Sequence, residues 1–350
     1  MITAVSSIIV LFVFIHVILR HSSTFKEIVQ TVDVSAVRGY FYCSVDPAQV
    51  TTFDKDYPCD FSPQPNPSEV TIVTFINSAW VPIWKNWIRS AEKAGIKDNL
   101  FLVGFEPKVC TQVTGIPCYE HPGINIGRTS FAQPGYQKMM IERTHIILKL
   151  LSCGRRVALV DADIIFLKNP LTYLDKVVTD KDIVFQADSS GVEMLDSVIP
   201  YVVSYICGGF IYMRSNDAVK HLWLSVLQYQ SSYQWSDQAG LNICIRHHSQ
   251  SVRWSLLDSK YFPNGRQYFF YNQTNENNLI VHANHLIGNN IKLVRMIAAD
   301  LWFEVDYGKH ICSHPPKFHD YCTPKENMPA PEWCAKFVNV CRTKFGIDVS

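Results

Sequence analysis

The chain has 350 residues, 47% of them apolar, and a formal net charge of +1 at pH 7. That length allows one large domain or two small ones around a substantial core. The near-neutral balance leaves no electrostatic case for nucleic acid as a partner. Aromatic residues are plentiful, with 8 Trp, 16 Tyr and 20 Phe; their faces suit sugars, but such rings more often fill a core.

The stretch Ile2 to Leu19 carries no charge and ends at Arg20-His21. It is about long enough to span a bilayer. A cleaved signal peptide is the alternative, but no clear small-x-small cleavage site follows, which favours an uncleaved signal anchor over residues 1–20. Positive charge at Arg20 and Lys26 follows the segment, which by the positive-inside rule argues against a lumenal body. Cysteine usage argues the other way. Cys312, Cys322, Cys334 and Cys341 crowd the end of the chain, Cys43 and Cys59 flank a turn-rich stretch, and Cys110 and Cys118 are placed to close a short loop. No CxxC pair supports a zinc site, so this pattern fits an oxidising compartment. Eleven cysteines leave at least one thiol unpaired or intermolecular. The sequon Asn272-Gln273-Thr274 points the same way. Together these place the body in the secretory lumen.

Residues 21–68 read as a stem and a Pro-rich linker, with Pro63, Pro65 and Pro67 excluding regular structure. A folded domain is expected over 69–303, followed by a cysteine-rich tail over 304–350. Val70 to Phe75 reads as a strand. Trp80 to Gly95 has helical spacing and Gly95 as its stop. Leu100 to Phe105 is a second strand. Tyr136 to Cys153 is a helix with apolar Met140, Ile147 and Leu151, capped by Gly154. Val157 to Val160 is a strand that delivers Asp161. This βαβαβ order implies an open, parallel sheet with helices on both faces. Further on, Asp182 to Ala187, Gly209 to Met213 and Leu279 to Val281 read as strands. Asn216 to Tyr229, Ser236 to His247 and Ile291 to Phe303 read as helices.

The chemistry gathers at Asp161-Ala162-Asp163, two carboxylates at the end of an apolar strand, where ligands of such sheets collect. Buried there, they need a cation, and a divalent metal carrying a diphosphate answers that need. The spacing alone is weak, because Asp54-Lys55-Asp56 and Asp180-Lys181-Asp182 share it and read as solvated turns. No Gly-x-Gly-x-x-Gly opens a helix and no Walker loop is present. His282-Ala283-Asn284-His285 follows an apolar strand and offers a third ligand, with imidazole beside carboxylates suiting Mn²⁺. Ser236 reads as a helix cap with Asp237 at the positive helix end; the functional alternative has Asp237 and Gln238 facing a reacting sugar. Cys207-Gly208-Gly209-Phe210 allows close backbone approach to a ligand, or is a simple turn before a strand.

These motifs, in this order, resemble the nucleotide-diphospho-sugar transferase family that includes plant pectin xylosyltransferases and extensin arabinosyltransferases. The resemblance covers Glu69 to Phe303. It rests on Val160-Asp161-Ala162-Asp163-Ile164-Ile165-Phe166-Leu167-Lys168-Asn169-Pro170 and on Gly209-Phe210-Ile211-Tyr212-Met213-Arg214-Ser215-Asn216. It continues through Asp237-Gln238, Tyr261-Phe262-Pro263-Asn264-Gly265 and Val281-His282-Ala283-Asn284-His285-Leu286-Ile287-Gly288.

The resemblance implies a GT-A fold, a mixed but mainly parallel sheet with helices on both faces. It implies a type II, single-pass protein of the Golgi or endoplasmic reticulum and a metal-dependent, retaining hexosyl- or pentosyltransferase. Its partners would be a nucleotide-diphosphate sugar, with UDP as the expected nucleotide, a glycan or glycoprotein acceptor, and the membrane. By that pattern Asp161, Asp163 and His282 hold Mn²⁺ or Mg²⁺, with His285 the alternative ligand because His285 to Gly288 fits a His-x-x-Gly spacing. The donor would touch Asp161, Asp163, Gly208, Gly209, Asn284 and Gly288, and the reacting sugar Asp237 and Gln238, with Asp188 at the catalytic centre against donor or acceptor. Cys207 departs from the pattern, standing where the family often has Asn, a better partner for a sugar hydroxyl. The alternatives are a non-catalytic lumenal carbohydrate-binding protein of the same fold and a phosphoesterase, the latter needing a denser metal-ligand cluster.

Overall fold

The computed structural model describes residues 43, 57–61, 70–122, 134–188, 206–233, 235–323 and 331–349. These fall within one compact unit, Cys43–Glu193 with Ser204–Ser350. The expected anchor over 1–20, the prolines of the linker and Asp54-Lys55-Asp56 lie outside the described residues. Among those described, no helix is long and apolar enough to cross a membrane.

The first half alternates as its periodicity requires. Strand β1 (Val70–Ile76) leads through helix α1 (Val81–Lys93) to β2 (Leu100–Gly104). A short β3 (Cys118–Glu120) follows, and helix α2 (Pro134–Ser152) leads into β4 (Arg156–Val160). β1 pairs in parallel with both β2 and β4, and β2 with β3. Gly95 and Gly154, the anticipated helix stops, both adopt φ +72°, the left-handed turn that ends a helix cheaply only at glycine.

The second half supplies β5 (Ile164–Phe166), helix α3 (Leu171–Val177), β6 (Ile183–Ala187) and β7 (Ile206–Met213). Helices α4 (Asp217–Tyr233) and α5 (Asp237–His247) follow, then β8 (Trp254–Leu256), β9 (Ile280–His282) and α6 (Asn289–Ala298). β7 runs antiparallel to β4 and to β6, and β8 is parallel to β6. The main sheet has the order β3-β2-β1-β4-β7-β6-β8, mixed and mainly parallel as expected. One face buries Ile72, Leu102, Val160 and Phe210 against Trp84 and Trp87 of α1. On the other face Trp223 of α4 donates its indole N–H to Met213 Sδ at 3.1 Å. Helices therefore cover both faces, which is why the central strands are buried along their length and mostly apolar, with Thr71 and Thr74 of β1 the buried polar exceptions there.

β5 and β9 form a separate antiparallel ladder beside this sheet, with Ile164 opposite His282. Ile165 and Val281 of that ladder bury into a second core with Val294, Met296 and Ile297 of α6. The same core takes in Ile311, Phe337 and Phe345, from helices α7 (Val305–Ser313) and α9 (Glu332–Phe345), which flank a short α8 (Phe318–Cys322). The cysteine-rich end of the chain is thus helical and packs behind β5 and β9. Disulfides Cys312–Cys341 and Cys322–Cys334 close it, while Cys43–Cys244, Cys59–Cys153 and Cys110–Cys118 close the rest. Cys207 is the remaining thiol, and it is buried.

Two sequence expectations need correction. The helix expected to reach Phe303 ends at Ala298. Asp300 takes φ +57° and Leu301 N–H returns to Met296 O, a left-handed cap that turns Leu301 and Trp302 into the core. Asp182 is not a solvated turn residue but is 5% exposed. Its carboxylate accepts from Nε and Nη2 of the Arg253 guanidinium, from the Arg253 backbone N–H and from the Asn216 amide, all at 2.9–3.0 Å.

The Arg253 hydrogen bonds hold the Asp182 pKa below its ordinary value, outweighing the burial that would raise it. A carboxylate whose folded pKa is depressed stabilises fully above its unfolded value and loses that stabilisation as pH falls through the folded one. The melting temperature of the wild type should therefore fall on acidification below about pH 4. Asp182→Asn should start lower at pH 7 and fall less steeply over the same range. Parallel acid limbs in the two proteins would refute this account.

Candidate functional site

The site forms where β4 ends, at the carboxyl edge of the sheet. Asp161 is the first residue beyond β4, and its N–H donates to Gly209 O of β7 at 2.8 Å. A two-residue turn then carries the chain over Asp163 into β5. Because β5 pairs with β9 with Ile164 opposite His282, and Ala283 N–H donates to Asp163 O at 3.0 Å, the register brings His282 beside Asp163. His282 Nε2 lies 3.3 Å from Asp163 Oδ1 and 3.8 Å from Asp161 Oδ2. One ligand atom from each of the three residues falls within a 4.8 Å span. Two carboxylate oxygens and an imidazole nitrogen are the donor set of a hard to borderline divalent cation. Asp161, with its side chain 36% exposed, leaves the cluster open to solvent on one side.

Gly209 makes this convergence possible. A Cβ there would stand 2.2 Å from His282 Cε1 and 2.7 Å from Asp161 Oδ2. The space its missing side chain leaves is filled by these two residues.

Each carboxylate also has a fixed cation. Arg143 of α2 donates from Nη1 to Asp161 Oδ1 at 2.9 Å and from Nη2 to Gly208 O at 2.6 Å. Its Nε faces Asp237 Oδ2 at 3.2 Å without hydrogen-bond alignment, so that pair is held by charge. Burial alone would lower the Arg143 pKa, but the charges of Asp237 and Asp161 outweigh it and the pKa is raised. Asp237 is 2% exposed, and burial raises its carboxyl pKa against the opposing pull of Arg143. Lys292 of α6 pairs its ammonium with Asp163 Oδ2 and rests over the Trp80 ring at 5.5 Å. Burial would raise the Asp163 pKa, but Lys292 and His282 hold it far below the usual carboxylate range. Burial would likewise lower the His282 pKa; the Asp163 carboxylate beside it outweighs that, and the imidazole is raised well above its ordinary value.

A second cluster adjoins the first through Gly208. Gly208 N–H donates to Gln238 Oε1 at 2.9 Å, and Gln238 Nε2 donates to Asp188 Oδ2 at 3.2 Å. Asp188, just past β6, also receives Asn284 Nδ2 at 3.2 Å and lies 3.3 Å from His285 Nε2. Ser236 caps α5 as expected, accepting from Ala239 N–H at 3.3 Å, which sets Asp237 and Gln238 on the first turn. The motif Tyr261 to Gly265 is a strap beneath the site. Asn264 Nδ2 donates to Ala187 O and Asp188 O at 3.1 Å, and Gly265 N–H donates to Asn284 Oδ1 at 2.6 Å.

The structure thus brings Asp161, Asp163 and His282 together. It places His285, at φ +61°, with Asp188, Asn284 and Gln238 instead. Gly288, at φ +96°, stands in open space and caps α6 one turn before Lys292. Sequence reading missed Arg143 and Lys292. Arg143 carried a signal, a cation three residues after Met140 and four before Ile147 on the buried stripe of α2. Lys292 carried none beyond its place one turn past Gly288.

Residues 109–296 match the sequence profile of the nucleotide-diphospho-sugar transferases. The chain belongs to that family. The transferase is 26% identical over 259 residues to a UDP-D-xylose:L-fucose α-1,3-D-xylosyltransferase of Arabidopsis thaliana, covering 67% of this chain and 71% of the relative. It is 25% identical over 206 residues to a UDP-galactose:fucoside α-3-galactosyltransferase of Dictyostelium discoideum, covering 52% of this chain and 31% of that one. Among solved structures, the glycosyltransferase GlyE of Streptococcus pneumoniae overlaps it with a TM-score of 0.40 at 12% identity, over 61% of this chain and 54% of that one. Mouse xyloside xylosyltransferase 1 gives a TM-score of 0.39 at 12% identity, over 61% and 97%. The transferase is a glycosyltransferase.

Proposed function

We propose that this transferase moves a sugar from a UDP-sugar to a fucose-bearing glycan, with retention of anomeric configuration and with Mn²⁺ or Mg²⁺ as cofactor. The meeting of Asp161, Asp163 and His282 at one edge of the sheet carries this reading. The relatives support its finer parts. Their names give UDP-xylose and UDP-galactose as donors, L-fucose or a fucoside as the shared acceptor, and α-linked products. An α-product from an α-linked donor is retention.

Asp161, Asp163 and His282 would hold the divalent cation, which when bound stabilises charge on the departing diphosphate. Lys292 would exchange its contact with Asp163 for the diphosphate. It sits in the first turn of α6, where ordered N–H groups also favour anions. The bond from the anomeric carbon to the diphosphate oxygen breaks ahead of the new one, giving an oxocarbenium-like centre. Gln238 would face that centre. Its amide is held at both ends, by Gly208 N–H and by Asp188, so it needs no reorganisation as charge develops. Asp237 is buried against Arg143 and so positions this turn rather than attacking the sugar. With no free carboxylate nucleophile in this reading, the acceptor hydroxyl adds from the face the diphosphate leaves. Its proton passes to a diphosphate oxygen as the new carbon–oxygen bond forms. The oxidising compartment that five disulfides require and the sequon at Asn272 fit a Golgi lumen, with residues 1–20 as the anchor.

A screen of nucleotide sugars with Mn²⁺ and a fucoside acceptor, scored by UDP release, tests the proposal. UDP-xylose or UDP-galactose should give metal-dependent release that the fucoside accelerates, with an α-linked product by NMR. A donor turned over equally well in excess chelator would overturn the metal role. A β-linked product would overturn retention.

A further inference from the structure

We infer that Gln186 is a positioning residue that fixes the tautomer of His282 and leaves its Nε2 lone pair facing Asp161 and Asp163; the inference rests on the metal reading proposed above. Gln186 is fully buried in β6, in a strand whose other members, Ile183, Val184, Phe185 and Ala187, are apolar. The register against β7 shifts between Phe185, opposite Ile211, and Gln186, opposite Cys207, and this break in the ladder sets Gln186 beside the Cys207–Gly209 segment at the site.

The hydrogen bonds of this amide admit one orientation. Two backbone carbonyls, Phe262 O at 3.2 Å and Pro263 O at 3.0 Å, lie on one end of it. Carbonyls only accept, so that end is the NH₂, and both of its protons are used. The other end, Oε1, therefore faces His282 Nδ1 at 2.7 Å as an acceptor. An imidazole nitrogen opposite an acceptor must carry its proton. Nδ1 is thus the N–H, and in the neutral ring Nε2 is the lone pair. In the neutral ring that a metal ligand requires, this nitrogen faces the carboxylate pair across the place a cation would take, with Asp163 Oδ1 at 3.3 Å and Asp161 Oδ2 at 3.8 Å.

Cys207 cannot substitute for the amide. Its sulfur lies 3.5 Å from Nδ1 and also receives Gly209 N–H at 3.4 Å, and a thiol sulfur is a weak acceptor. The Tyr261 to Gly265 motif gains a purpose from the same geometry. It presents the two carbonyls that orient Gln186, and Pro263 O also accepts the His282 backbone N–H at 3.4 Å, so the loop fixes both the backbone and the ring of His282.

The test measures Mn²⁺ affinity in the full chain, from the electron paramagnetic resonance signal of free Mn²⁺, with metal-free melting temperature alongside. Gln186→Met, which keeps volume but loses the acceptor, should weaken Mn²⁺ binding about 10- to 100-fold. Gln186→Glu, held protonated by burial so that its O–H donates to Phe262 O or Pro263 O while its other oxygen accepts from Nδ1–H, should restore affinity to within about threefold of wild type. A lowered metal-free melting temperature with unchanged Mn²⁺ affinity in Gln186→Met would reduce Gln186 to a structural role and overturn the inference. Equal weakening in Gln186→Glu would overturn it too. Wild-type protein that binds no Mn²⁺ would bring down the metal reading itself, and this inference with it.

Discussion

Asp163→Ala is expected to lower sugar transfer by at least about a thousandfold, the scale of losing a preorganised stabiliser of leaving-group charge. The residue has two roles that can be separated. As the proposed metal ligand it stands 3.3 Å from His282 Nε2; as a counter-ion it pairs with Lys292, whose side chain is only 11% exposed. Removing the carboxylate leaves that ammonium against the Trp80 ring with no anion. A buried charge stripped of its partner costs stability, here about 1–3 kcal/mol because a lysine stem can swing toward water. Asp163→Ala should therefore be both inactive and less stable. Adding Lys292→Met should recover the melting temperature and none of the activity. Circular dichroism melts and a UDP-release assay on the two proteins check this. Transfer at near wild-type rates in folded Asp163→Ala protein would remove the carboxylate from the reaction.

Arg143→Met carries the largest expected cost in stability. Three groups depend on this guanidinium: Asp161 Oδ1, Gly208 O and the buried Asp237 carboxylate. Without it, Asp237 keeps only the Gln238 N–H and the positive end of α5. Breaking one side of a buried ion pair costs about 3–5 kcal/mol, or roughly 5–10 °C in melting temperature for a chain of this size. Arg143→Met combined with Asp237→Asn should regain most of that loss, because the amide needs no counter-charge. Activity should stay low in both, since Asp161 and the Gly208–Gln238 turn lose their common anchor. A change of less than about 2 °C in the single variant would show that the pair is not what holds Asp237 in place.

Much of the frame was legible in the chain. Helix-period spacing in α1 and α2, apolar runs in β1, β2 and β4, and glycine stops at Gly95 and Gly154 are local signals, and local signals survive because burial of one face acts on every turn and every pleat. The cap at Ser236 is of the same kind, a contact within one turn. β3, β8 and the helix over Leu171–Val177 were not legible. Segments of three to seven residues hold too few repeats for a period to show, and their partners rather than their propensities fix them.

The candidate site divides along the same line. Asp161 and Asp163 could be read directly, since two carboxylates after an apolar strand are costly wherever that strand lies. The third member could not. Its place at a strand end favoured His282 while the His-x-x-Gly spacing left His285 open, and it is the antiparallel register of β5 with β9 that sets one beside Asp163 and the other beside Asp188. Arg143 and Lys292 meet the carboxylates from two different helices, and the cysteine pairings join segments up to 201 residues apart.

By itself, then, the amino-acid order determined the longer strands and helices of residues 70–298, that the sheet is mainly parallel, and that two acids stand at its carboxyl edge. The tertiary structure decided which histidine joins them, which cations balance them and which amide orients the ring. Pairing between distant segments is chosen by the packing of the whole core, and a one-residue slip in the β5–β9 ladder would turn His282 to the opposite face.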